Sequence, residues 1–186
     1  KESMGWARAL RDGRKVVGEG QKSGFYHVVD AETGATINQA QFLPGGILGG
    51  LYTDSAVADG MVFVDGNDLE NFQCSVMAIK GDASVQRWRF DTFGLTANGL
   101  AVANGVVFFK PSFDPNLYAL DAYTGERLAS VPVGGSNSGP SISHGRVFLG
   151  LGNILTDGFR SPGAVVALGI EAGDGGGPGP DGSNGP

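Results

Sequence analysis

Cysteine occurs once in the 186 residues, at Cys74. A single thiol excludes an internal disulfide framework and every CxxC or CxxCH arrangement, so this chain carries no covalently attached c-type haem. In an apolar, strand-rich segment such a cysteine reads as a small buried residue. No run of 18 apolar residues is present, which excludes a helical membrane span. Charge is sparse, at 17% of residues, and the formal net charge is −6. That balance argues against binding to a nucleic-acid backbone. The two histidines, His27 and His144, are paired by no spacing with a metal ligand or a nucleophile, and both read as structural. The segment GGSNSG, Gly134 to Gly139, lacks the Lys-Ser/Thr ending of a phosphate loop and reads as a plain loop. Sustained helical periodicity is missing as well. The first residue is Lys1, with no apolar leader after it, so the sequence is expected to be a processed product or part of something longer.

Glycine, by contrast, is abundant: 33 residues, against a usual share of about 7%. Much of it punctuates short apolar runs of period two, the pattern of half-buried strands. The expected strands are Lys15–Val17, Phe25–Val29, Met61–Val64, Cys74–Ile79, Val85–Phe90, Val106–Lys110, Arg146–Leu149 and Val165–Leu168. Between Asn116 and Gly145 the order is strand, tight turn, strand, Gly-rich loop and strand. Asp121 to Gly125 supplies that turn, with a side-chain acceptor first and a glycine last. From Glu171 onward EAGDGGGPGPDGSNGP has too little apolar surface to order itself and reads as a linker or disordered tail.

The glycine before each opening strand falls at Gly13, Gly60, Gly105 and Gly145, spaced 47, 45 and 40 residues apart. Several short strands per repeat of that length mark β-propeller blades. The fold expected is all-β, with residues 1–11 an N-terminal segment or the end of a preceding blade, 12–169 blades, and 170–186 the tail. Three repeats are complete or nearly so, and a fourth begins at Gly145. Since propellers close with four to eight blades, further blades are expected from the same precursor or another chain. A small four-bladed closure using Trp6 is the lesser alternative.

The turn resembles the tryptophan-docking repeat of quinoprotein (PQQ-dependent) dehydrogenase propellers, Ala-x-Asp-x-x-x-Gly-x-x-x-Trp. Ala119, Asp121, Thr124 and Gly125 match it, and so do Asp30, Thr33 and Gly34, with Val28 in place of Ala. A degenerate copy runs Ala78, Lys80, Ala83, Ser84, Trp88. Trp88 keeps the docking tryptophan, whereas Asn38 and Ala129 replace it elsewhere. The stretch RKVVGEGQKSGFYHVVDAETG is similar to one in PQQ-dependent alcohol dehydrogenases, especially polyvinyl-alcohol-dehydrogenase-like proteins. In that family a basic residue at the hairpin tip contacts the quinone oxygens, and the matching position is Lys22. Read without the resemblance, Lys22 is a solvated lysine on a hairpin.

The resemblance implies alcohol oxidation with PQQ and calcium as cofactors, a cytochrome as electron acceptor, and a periplasmic or extracellular location. The alternative is a non-catalytic propeller acting as a scaffold or binding subunit. Departures are visible. Thr53 and Asp54, beside Tyr52, stand where the family has a Trp-Gly step, its adjacent cysteine pair is missing, and its catalytic Asp would fall before Lys1. No catalytic residue and no metal ligand is assigned in this chain. Asp65, Asn67 and Asp68 form an oxygen-rich segment expected to be a polar turn, or a seat for a hard cation.

Overall fold

The computed structural model describes residues 5–7, 13–51, 53–152 and 163–169, to which every structural statement refers. Tyr52 and residues 170–186 therefore lie outside the described residues.

Each repeat folds as an antiparallel sheet. The first contains β1 (Gly5–Ala7), β2 (Val16–Gly20), β3 (Phe25–Asp30) and β4 (Thr36–Gln41). The second contains β5 (Ala56–Ala58), β6 (Met61–Asp68), β7 (Gln73–Lys80) and β8 (Gln86–Phe93). The third contains β9 (Ala101–Ala103), β10 (Val106–Phe109), β11 (Asn116–Asp121) and β12 (Arg127–Pro132). The fourth has three described strands, β13 (Ser141–Ser143), β14 (Arg146–Leu151) and β15 (Ala164–Gly169). Strand order follows chain order in every sheet, and the short strands β1, β5, β9 and β13 lie against one another in succession. These are the innermost strands, so the sheets stand side by side as blades around an axis. No helix occurs among the described residues.

The four repeat glycines all lie between the first and second strand of a blade, with φ between +70° and +84°. At three of them the preceding residue is also left-handed: Asp59, Asn104 and His144, at φ +51°, +50° and +48°. Two consecutive positive φ values make the tight hairpin turn whose twist matches its strands. His144 is thus a turn residue, bonded to Ser143 at 2.8 Å. The short strands before these turns (SAVADG, LAVANG) read in sequence only as lead-ins. Three residues are too few to show a period.

Blades pack face to face through apolar residues. Val16, Tyr26 and Val28 of the first meet Val62, Val64, Met77 and Ile79 of the second. Phe63, Val76 and Trp88 of the second meet Val107, Phe109, Tyr118 and Leu120 of the third. Burying each large side chain contributes about 1.5–3 kcal/mol. Trp88 carries the docking expected of it. Its indole lies over Gly125, where a Cβ would come within 2.7 Å of the ring, and its N–H donates to the Ala122 carbonyl at 2.9 Å. Asn38 keeps half of that contact, since its amide donates to the Asp82 carbonyl of the next blade at 2.9 Å. Cys74 is fully buried in the same core, and burial pushes its thiol well up, as suits an inert packing residue.

Candidate functional site

The hairpin between β2 and β3 and the connection leaving β4 emerge at the same end of the blades. Lys22 stands exposed on that hairpin tip. Its backbone is fixed by glycines. The Lys22 carbonyl accepts the Gly46 N–H at 3.0 Å, and Gly50, at φ +75°, has its Cα against that carbonyl so closely that no Cβ would fit. Gly24, at φ +83°, lies against the Leu43 carbonyl with the same consequence. His27 points from β3 toward this tip, its Nε2 3.1 Å from the side-chain oxygen of Gln21.

The expected loop at Asp65, Asn67 and Asp68 is a strand. β6 runs on to Asp68, pairing residue by residue with β7 as far as Gln73, and all three side chains are buried. Each is occupied by internal partners. Asp65 accepts the hydroxyls of Thr53 and, at 3.3 Å, Thr96. Burial pushes its carboxyl up to about 7, the hydroxyls offsetting only part of that cost. Asn67 donates to the Leu48 and Thr96 carbonyls at 2.7 and 2.9 Å and accepts the Thr96 N–H at 2.7 Å. Asp68 closes the hairpin by accepting from Asn71 and Glu70, and the Asn71 amide foremost holds it below the usual carboxylate range. Among the described residues no three acidic, histidine or cysteine side chains gather to hold a metal. These donors do not fit calcium, because their oxygens are spent on the fold.

They belong to a polar belt along the blade connections. Thr96 and Ser136 occupy equivalent places, each five residues before β9 and β13 begin, and Thr53 lies in the connection before β5. Thr96 accepts the N–H of Asn98, as Ser136 accepts that of Ser138, in both cases at 3.1 Å. Asn98 reaches the carbonyls of Lys110 and Ser136 at 2.7 and 3.3 Å, while its own amide oxygen is buried without a protein partner. Lys110, 1% exposed, donates to the carbonyls of Pro111 (2.7 Å) and Asp114. Asp114 in turn accepts the Tyr118 hydroxyl at 2.5 Å. Sequence reading passed over Thr96, Asn98 and Lys110. The one available signal was the recurrence of a hydroxyl nine residues before the repeat glycines Gly105 and Gly145, at Thr96 and Ser136, which is visible only once the blades are aligned.

Beside this belt lies an exposed aromatic group. Phe72 is 5.4 Å from Phe93 and 6.2 Å from Phe113, ring centre to ring centre, with exposures of 41%, 68% and 36%.

The architecture matches solved proteins. Quinohemoprotein alcohol dehydrogenase from Comamonas testosteroni is 18% identical with a TM-score of 0.67, over 80% of this chain and 34% of that one. The chain therefore has the propeller fold of the quinoprotein alcohol dehydrogenases. BamB from Moraxella catarrhalis shares it, at 17% identity and a TM-score of 0.59, over 78% of this chain and 42% of that protein. The computationally designed Ika4 protein is 16% identical with a TM-score of 0.64, over 91% of each chain. The propeller thus spans less than half the length of the two natural structures. No protein-family model matches its sequence, and no curated protein does.

Proposed function

We propose that this chain supplies consecutive blades of a PQQ-dependent alcohol dehydrogenase, with Lys22 beside the quinone, of the polyvinyl-alcohol-dehydrogenase-like kind. The observation that carries the reading is the Lys22 hairpin. Its backbone is locked by Gly24 and Gly50, and its ammonium stands exposed at the end of the blades that also bears the polar belt. When bound, PQQ would supply an ortho-quinone able to accept a hydride, which carries two electrons, from an alcohol, with the hydroxyl proton going to a base. The part of Lys22 is a fixed positive charge where negative charge develops on oxygen. Calcium and the general base would be held by residues outside this chain, since Asp65, Asn67 and Asp68 are spent on the fold. Further blades complete the ring, a cytochrome takes the electrons, and the setting is periplasmic or extracellular.

The test uses the complete propeller with PQQ and calcium, followed by the cofactor's absorbance and by dye-linked alcohol oxidation. Lys22→Ala is expected to weaken PQQ binding at least tenfold and to lower turnover about 100-fold. Unchanged cofactor affinity in that variant would remove Lys22 from the site. Failure of the complete propeller to bind PQQ would leave the second reading, a scaffold or binding subunit. That reading is favoured by the exposed Phe72, Phe93 and Phe113, an apolar group of the kind that protein partners cover.

A further inference from the structure

The contact between the third and fourth blades differs from the two before it. In the second blade Phe63, Ala78 and Trp88 lie in one row across the sheet, and Ala78 has as its third-blade counterpart Ala119, in the row Phe108, Ala119, Ala129. One step along, the pair Val76 and Phe90 corresponds to Leu117 and Val131. Two aromatic side chains that fill the earlier contact, Trp88 and Phe90, are thus replaced by alanine and valine. A cavity of about 370 Å³ occupies that place. Phe108, Leu117 and Val131 line it from one blade, and Ile142, Val147 and Leu168 from the other. At its rim stands Arg146, exposed and in no ion pair among the described residues.

Apolar clefts of this volume fall in the range of small-molecule sites and accept flat aromatic ligands. The unpaired guanidinium adds a partner for a carboxylate. We propose that this cleft binds a flat aromatic acid the size of a naphthalene or indole carboxylate. Its rings take the space that Trp88 and Phe90 fill one blade earlier, and its carboxylate meets Arg146. The site is separate from the Lys22 end and does not depend on the redox reading.

The probe is 2-naphthoate, titrated against the intact chain by calorimetry, with neutral 2-naphthalenemethanol as its comparison. A dissociation constant of about 10–100 μM is expected for the acid. Ala129→Trp restores the lost indole and should weaken both ligands at least tenfold while raising the melting temperature. Val131→Phe gives the same occlusion test should the larger residue disturb folding. Arg146→Gln changes only an exposed side chain and should weaken the acid about five- to tenfold, leaving the alcohol unaffected. No binding up to about 1 mM, or binding that neither occluding variant weakens, would overturn the site. Loss of affinity for acid and alcohol alike in Arg146→Gln would overturn the role of Arg146 and with it the preference for an acid.

Discussion

At the scale of single residues, Trp88 and Asp65 show opposite ways of being buried. Trp88 offers a large apolar face and one N–H, and both are satisfied in the neighbouring blade. Trp88→Ala should cost about 3–5 kcal/mol in denaturant unfolding. Trp88→Phe should cost less, since it forfeits the bond to Ala122 but keeps part of the ring. Asp65 is a carboxyl with two hydroxyl donors and no cation among the partners described here. Its pKa is raised from 3.8 to about 7, so the folded state binds a proton that the unfolded chain has lost. Its contribution to stability is full below 3.8 and is lost as pH rises toward 7, because the folded protein must then bury a charge. Asp65→Asn should flatten that decline and raise the melting temperature at pH 8 by several degrees. A melting curve of the wild type that is flat across this window would refute the reading.

At the scale of elements, the turns were legible and the strand lengths were not. Asp30 and Asp121 were read as turn acceptors, and each takes the N–H groups of the residues two and three further on. Those signals are local, so sequence carries them. β6 was read as ending at Val64 because Asp-Gly-Asn-Asp looks like a turn. It continues to Asp68, because Thr53 and Thr96 come from other connections to satisfy Asp65, and Asn67 ties two of those connections together. Polar residues were tolerable in a buried strand for a reason 31 residues away. β4, Thr36–Gln41, is similarly polar because it is an outermost strand with little to bury. The glycines of the Lys22 hairpin allow a direct test. Gly24 and Gly34 are both left-handed, but only Gly24 abuts another backbone. Gly24→Ala should therefore destabilise by clearly more than the roughly 1 kcal/mol expected of Gly34→Ala. Equal losses would mean that the hairpin is not pinned by close approach.

At the scale of the whole molecule, cohesion is uneven. The first two blade contacts are filled by aromatic and branched side chains, and the third contains the cavity beside Ala129. Local opening follows packing, so amide exchange should be slowest in β6 and β7 and at least tenfold faster in β14 and β15. Protection of β14 and β15 equal to that of β6 would contradict this ordering. Blade count and all-β class came from the glycine spacing. Lys22 was reached through the resemblance of its segment, and the polar belt through neither.

Sequence by itself determined the repeat, the turn chemistry and the loss of docking tryptophans at Asn38 and Ala129. Each is a matter of spacing or of a residue's intrinsic backbone preference. Only the tertiary structure decided what those losses mean. Asn38 still bonds the next blade through Asp82, whereas Ala129 leaves a cleft, and which outcome follows depends on what the facing blade presents. Likewise Asp65, Asn67 and Asp68 read in one dimension as a polar turn, or a seat for a cation. In three they are structural, because donors from distant connections converge on them and bury them.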